Sequence, residues 1–122
     1  MSHLTKIKTS IRDENILQKT LSDCDLKWEK LYLQSHNSKP NYCVKQSNKI
    51  DLQFNWNGED YEMITDIQFW QQSLPLELFL NKLNQRYAYN SIIEKGKNAG
   101  FETIKEVKNV QGTITLTLRR WT

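Results

Sequence analysis

The segment IDLQFNWNGEDYEMITDIQF, residues 50–69, predicts the centre of the fold. Apolar and polar residues alternate up to Trp56, so one face of an extended strand is apolar and the other is polar. Asn57-Gly58 follows, a pair typical of turns between antiparallel strands. Alternation then resumes, and the predicted buried face of the second strand comprises Tyr61, Met63, Thr65 and Ile67. The segment therefore predicts an antiparallel hairpin with one buried face and one solvated face.

A helix is predicted on each side of this hairpin. Before it, Asp13 suits the N-cap of a short amphipathic helix within RDENILQKTLSDC. After it, a longer helix is expected to begin at Pro75 and to end near Gly100, because proline suits a first turn and glycine suits the residue after the last. The apolar stripe of the longer helix comprises Leu76, Phe79, Leu80, Leu83 and Tyr87.

Four further segments predict strands, which are SHLTKIKT, LKWEKLYLQ, FETIKEV and TITLTLRRW. Strands outnumber helices, and most of them neighbour their predicted partners in sequence. We therefore expect an α+β fold, a mostly antiparallel sheet with two helices packed on one face. The length of 122 residues suits a single α+β domain over residues 1–122.

Composition limits the class of protein. The net charge of +3 is mildly basic, and 38% of the residues are hydrophobic, as in soluble globular proteins. No apolar run approaches the ~20 residues of a membrane span. The N-terminal residues MSHLTKIKTSIRDEN lack the features of a secretory signal or a transit peptide. The chain is therefore expected to work in the compartment where it is made.

No constellation of residues predicts an enzyme, a cofactor or a metal site. The histidines and cysteines, His3, His36, Cys24 and Cys43, form neither a metal-ligand motif nor a selected nucleophile–base pair. Four acids lie on and after the hairpin turn, and they are Glu59, Asp60, Glu62 and Asp66. Such acids could serve acid–base chemistry or hold a cation. A solvated hairpin tip explains them more simply, because hairpin tips are exposed and polar by default.

The longer helix carries a polar and aromatic cluster in QRYAYN, residues 85–90. A helical projection places Tyr87 within the apolar stripe. The candidate surface for binding another protein comprises Arg86, Tyr89, Asn90 and Ile93, a composition that protein interfaces favour. The competing interpretation is structural, since an arginine beside a core tyrosine can pair with an acid of the sheet.

A small RNA-binding domain is the alternative function. Small α+β proteins stack bases on exposed aromatic side chains beside arginines. The candidate RNA-binding residues are Arg119, Arg120 and Trp121, at the end of the last predicted strand. Most other aromatic residues alternate onto apolar strand faces, which assigns them to the core.

Four segments carry a resemblance to a known family, and they are MSHLTKIKTSIRD, NGEDYEMITD, FLNKLNQRYAYN and GTITLTLRRW. Together they resemble the family of hypothetical chloroplast reading frame thirty-five, found in plastids and cyanobacteria. The resemblance implies a small soluble protein with no assigned biochemical role and no catalytic residues to transfer. It implies a plastid location in the stroma, or a cytoplasmic one in a cyanobacterium. Abundant Lys, Asn and Ile agree with an AT-rich genome.

From these observations we expect a non-enzymatic plastid accessory protein that binds another protein during assembly or regulation of a plastid complex. The identity of that partner does not follow from the residues.

Overall fold

The structure is a computed structural model, and it describes residues 4–31, 39–46 and 51–120. Seven strands and two α-helices lie within these ranges. In chain order the elements are β1 (Leu4–Lys8), α1 (Glu14–Asp23), β2 (Trp28–Leu31), β3 (Asn41–Val44), β4 (Leu52–Trp56), β5 (Tyr61–Asp66), α2 (Leu76–Asn98), β6 (Phe101–Lys108) and β7 (Ile114–Arg120). This confirms the predicted α+β class.

The chain divides into two compact units, Met1–Tyr87 and Ala88–Thr122. We call them the first unit and the second unit, and helix α2 contributes residues to both. The prediction of a single domain over residues 1–122 stays a prediction.

The first unit contains a five-stranded sheet in the order β1-β5-β4-β3-β2, antiparallel throughout. The predicted hairpin forms its centre, with Trp56 opposite Tyr61 and a four-residue loop between them. The Asn57 side-chain oxygen accepts hydrogen bonds of 2.9 Å from the backbone N–H groups of Glu59 and Asp60. Asparagine therefore organises this loop through its side chain, as asparagines in turns commonly do.

One face of this sheet carries the core, as the alternation predicted. Both helices cover that face, because α1 and the first half of α2 bury side chains in the same cluster as the central strands. The fully buried members include Leu17 and Leu21 of α1 and Leu83 of α2. Their strand partners in the cluster are Tyr42, Val44, Leu52, Phe54, Tyr61 and Met63.

Helix α1 begins directly after Asp13, the residue that the sequence predicted as its N-cap. The Asp13 carboxylate accepts hydrogen bonds from the backbone N–H groups of Asn15 and Ile16, at 2.9 and 3.0 Å. These bonds satisfy two of the donors that a helix N-terminus leaves without partners. Gln18 and Glu14 then bond to the Tyr42 hydroxyl, at 2.7 and 3.1 Å, which ties the helix to β3.

The prediction that Ile67 shares the buried face of the second strand is wrong. Strand β5 ends at Asp66, and a 3₁₀ turn occupies Ile67–Phe69. The Asp66 carboxylate accepts a 3.1 Å hydrogen bond from the Gln68 backbone N–H and so caps this turn. The change of backbone direction leaves Ile67 50% exposed.

The second unit contains a separate two-stranded antiparallel sheet made of β6 and β7. Its turn spans Asn109 to Gly112, and Gly112 has the positive φ of 88° that the turn requires. A β-bulge interrupts β6 between Thr103 and Lys105. The alternation of β7 correctly predicted its apolar face, since Ile114, Leu116 and Leu118 are half-buried and Thr115 and Thr117 are exposed.

Candidate protein-binding surface

Arg86 is engaged within the first unit. Its Nε donates a 3.0 Å hydrogen bond to Oδ2 of Asp23, the last residue of α1. The sequence predicted an acid of the sheet as the structural partner, whereas the acid belongs to a helix. The Arg86 side chain is 37% exposed, so part of it remains at the surface.

Tyr87 contacts the other end of α1. Its hydroxyl oxygen accepts hydrogen bonds from the backbone N–H groups of Arg12 and Asp13, at 3.2 and 3.1 Å. The ring packs against the core of the first unit, as the helical projection predicted. Two adjacent residues of α2 thus hold the two ends of one neighbouring helix.

The remaining predicted surface residues differ in exposure. Asn90 is 2% exposed, so it presents no surface to a partner. Leu83, Tyr87 and Asn90 are four and then three residues apart, a spacing that places all three on one side of α2. Tyr89 and Ile93 are half-buried and reach the surface in part.

Ile93 lies in a groove of the second unit with a volume of about 190 Å³. The groove is lined by residues of α2, β6 and β7, and they are Ile93, Gly96, Lys97, Phe101, Glu102, Thr103 and Leu118. We call it the second-unit groove. Gly96 forms part of its floor, because a side chain there would lie 3.6 Å from Leu118 Cδ1 and 3.8 Å from Phe101 Cβ.

Sequence reasoning found Ile93 but missed the groove. Gly96 was the available signal, because a glycine inside a helix weakens the helix and usually has a packing reason. The other lining residues come from two strands, and their meeting with α2 depends on contacts that local periodicity does not predict.

The candidate RNA-binding residues occupy the end of β7. Nε of Arg119 donates a 3.0 Å hydrogen bond to Oε1 of Glu102, and the two side chains form an ion pair. Arg120 is exposed. Trp121 lies outside the described residues. One of the two candidate arginines is therefore already partnered by a carboxylate.

The positive charge of the chain is concentrated in the second unit. Residues 88–122 contain six Lys or Arg and three Glu, whereas residues 1–87 contain eleven residues of each sign. The whole excess of +3 therefore belongs to the segment that also holds the second-unit groove.

Both cysteines favour the protonated thiol. Burial, together with a hydrogen bond to Asp51, raises the pKa of Cys43 to about 11. Burial also raises the pKa of Cys24. Because the thiolate is the nucleophile, raised pKa values lower the reactivity of both groups at neutral pH. His3 and His36 lie outside the described residues.

Two of the predicted acids have structural contacts. Asp60 Oδ1 accepts a 3.0 Å hydrogen bond from the Asn57 side-chain amide within the hairpin loop. Asp66 is 3% exposed and caps the 3₁₀ turn. Over the described ranges, no group of three or more His, Cys, Asp or Glu side chains is arranged to hold a metal ion.

The fold and this surface define a small α+β protein with an apolar groove, and comparison with known proteins identifies its family. Residues 20–117 match a family described as a protein of unknown function, DUF1257. The chain is 42% identical to the uncharacterized protein ycf35 of Guillardia theta over 129 residues, covering 99% of this chain and 98% of that protein. It is 40% identical to uncharacterized protein ycf35 of Pyropia yezoensis and 36% identical to that of Cyanophora paradoxa, at the same coverage.

The chain therefore belongs to the ycf35 family, as the resemblance of its motifs implied. Its relatives are encoded in plastid genomes, which suggests a plastid location for this chain. No solved structure matches it. Within the described residues, neither helix combines the length and hydropathy of a membrane span.

Proposed function

We propose that the chain is a non-enzymatic accessory protein of the plastid stroma that binds another protein during assembly or regulation of a plastid complex. The observation that supports this proposal is the second-unit groove, which includes the predicted interface residue Ile93. Tyr89, which is half-buried in the same unit, belongs to the proposed surface as its aromatic member. Arg86 belongs to the first unit, and its role in binding stays a separate prediction. Asn90 is omitted from it, because it is buried.

The size of the groove favours a protein ligand. Its volume of about 190 Å³ is below the ~300 Å³ at which pockets for drug-sized molecules begin. A groove of this size suits an apolar side chain that projects from a partner. Such anchoring side chains contribute most of the binding energy at many interfaces.

The composition of the groove also resembles a protein interface. Ile93, Phe101 and Leu118 supply apolar area, while Lys97 and Glu102 supply charged groups. An apolar centre with charged groups beside it is the usual arrangement at a site of protein association.

Two neighbouring isoleucines of α2 provide a matched test. Ile93 lines the groove, whereas Ile92 is 47% exposed and does not. The tagged wild-type chain, Ile93→Ser and Ile92→Ser would each be used to capture proteins from an extract of isolated plastids, followed by mass spectrometry. We expect a partner retained by the wild-type chain and by Ile92→Ser to be lost by Ile93→Ser. An identical set of captured proteins for all three chains would contradict binding at the groove.

RNA binding is the alternative function, and the positive charge of residues 88–122 favours it. It predicts an affinity that falls steeply with salt, because phosphate contacts release counterions. Filter binding of single-stranded RNA to the wild-type chain and to Arg119→Ala/Arg120→Ala would test it. A smaller salt dependence in the variant would support this alternative, and absence of binding at low salt would eliminate it.

A further inference from the structure

Over the described residues, one edge of strand β7 has no strand partner and lacks the usual protection. Its only strand partner over the described ranges is β6. Exposed edges in natural proteins are protected by lysines, prolines or bulges, which prevent pairing with another chain. Strand β6 has such protection in Lys105, Lys108 and the bulge between Thr103 and Lys105. The segment Ile114–Leu118 of β7 has no charge, no proline and no bulge.

The hydrogen-bonding groups of that edge can be assigned from the turn. The Asn109 N–H donates a 3.0 Å hydrogen bond to the Thr113 carbonyl, so these two residues form a hydrogen-bonded pair. Such pairs alternate along an antiparallel ladder, and the next ones use Thr115 and Thr117. The N–H and C=O groups of the intervening residues Ile114 and Leu116, and of Leu118 by continued alternation, therefore point away from β6.

The sequence of this edge is complementary to itself. ITLTL, residues 114–118, alternates symmetrically about Leu116. We propose that β7 pairs antiparallel with β7 of a second copy of this chain, with Leu116 opposite Leu116 of the other copy. In this register Ile114 lies opposite Leu118, and Thr115 lies opposite Thr117 of the other copy.

This register uses the groups that the edge presents. Ile114, Leu116 and Leu118 have outward-pointing backbone groups, and on the order of six hydrogen bonds form between the copies. The two-fold axis is perpendicular to the sheet, so the apolar faces of both copies lie on the same side. Threonine pairs on the other side stabilise antiparallel strands.

The charges of β7 favour the same register. No charged side chain lies within residues 114–118. Arg119 lies opposite Thr113 of the other copy, and Arg120 lies opposite Gly112. The arginines of the two copies are thus at opposite ends of the paired segment, roughly 20 Å apart for a spacing of ~3.3 Å per residue.

Pairing also completes an otherwise small sheet. Helix α2 packs against these two strands, with Gly96 beside Leu118 and Phe101, and pairing with a second copy extends the sheet to the strand number usual for sheets. The dimer has four strands in the order β6-β7-β7-β6, and its outer edges are the protected β6 strands. This arrangement stops at two copies, because no unprotected edge remains. The inference does not depend on the proposed groove partner.

The exposed threonines allow a test by charge. In Thr115→Glu/Thr117→Glu, each glutamate faces a glutamate of the other copy. In Thr115→Lys/Thr117→Glu, each lysine faces a glutamate. Both variants place the same glutamate beside Lys105 of their own β6, so they differ only in the sign of the charge at position 115.

Sedimentation velocity of the full chain between micromolar and hundred-micromolar concentrations would give the mass. We expect the wild-type chain and Thr115→Lys/Thr117→Glu to reach twice the monomer mass of 14.5 kDa. Thr115→Glu/Thr117→Glu should remain monomeric over the same range, with unchanged far-ultraviolet circular dichroism. A monomeric wild-type chain would overturn the proposal. Equal dimerisation of both variants would overturn the assignment to β7.

Discussion

The hydroxyl oxygen of Tyr87 lies 3.1 Å from the backbone nitrogen of Asp13, the residue that caps helix α1. The Asp13 carboxylate therefore accepts hydrogen bonds from backbone N–H groups of α1, while the Asp13 N–H donates to the Tyr87 hydroxyl of α2. The next residue towards the N-terminus on α2, Arg86, pairs with Asp23 at the other end of α1. Two side chains of the QRYAYN motif, which the sequence predicted as a docking surface, thus contact a neighbouring helix and stabilise it.

Tyr87→Phe is expected to destabilise the first unit by about 1 kcal/mol. The ring remains in the core, and the variant loses only the acceptor for the N–H groups of Arg12 and Asp13. Both donors can turn to water, which limits the loss to the net value of a neutral hydrogen bond. Urea unfolding followed by circular dichroism measures the change. A midpoint equal to that of the wild-type chain would show that the hydroxyl contributes nothing to folding.

The ion pair between Arg86 and Asp23 is expected to contribute at most about 1 kcal/mol, because the arginine side chain is 37% exposed and solvent screens the pair. A double-mutant cycle with Arg86→Gln and Asp23→Asn isolates the coupling energy. The coupling should decrease between low salt and 1 M salt. Lys19→Gln is the matched control, since its 3.9 Å contact with Asp23 is longer and the lysine is 60% exposed. Coupling that is insensitive to salt would contradict an electrostatic role for Arg86.

Gly96→Ala is expected to stabilise the folded chain by up to ~1 kcal/mol, because alanine favours the helix more than glycine does. The added methyl group would meet Leu118 and Phe101 at ordinary contact distances of 3.6 and 3.8 Å. It would also fill part of the second-unit groove. The variant should therefore have a higher unfolding midpoint and a lower affinity for a groove partner. A lower midpoint would show that the helix and the strands cannot accommodate the methyl group.

The raised pKa of Cys43 predicts that the folded state loses stability at alkaline pH. Burial, together with a hydrogen bond and the negative charge of Asp51, raises its pKa from an ordinary value of 9.0 to about 11, so the folded state favours the protonated thiol. The resulting stabilisation is complete below pH 9 and is lost as the pH rises towards 11, because the unfolded thiol ionises first. Urea unfolding from pH 8 to pH 11 should show a shallower decline for Cys43→Ala than for the wild-type chain. Parallel curves would assign the decline to other groups.

Local patterns predicted much of the first unit. The alternation of residues 52–56, the loop at Asn57-Gly58 and the cap at Asp13 each depend on interactions between residues close in sequence. Such interactions constrain the backbone independently of the rest of the chain. The prediction was wrong at Ile67, where the side chain of Asp66 ends the strand and alternation alone gives no signal.

The candidate site was less predictable, because its geometry depends on distant residues. Arg86 could be assigned an acidic partner, but Asp23 lies 63 residues away and nothing local selects it. Strands β6 and β7 form their own sheet. This too depends on which distant strands pair, and local sequence patterns do not determine that choice. The burial of Asn90 could have been predicted from its spacing to Tyr87, although its polar side chain favoured a surface position.

The paired contacts of Arg86 and Tyr87 also fix the length of helix α1. The helix has ten residues and a length of about 15 Å at 1.5 Å per residue. Arg86 contacts one end of α1 and Tyr87 contacts the other, so these two consecutive side chains together span the helix. An insertion of one helical turn would lengthen α1 by ~5.4 Å and place one of its ends beyond the reach of these side chains. A change in the number of residues in α1 is therefore expected to break the contact at one of its ends.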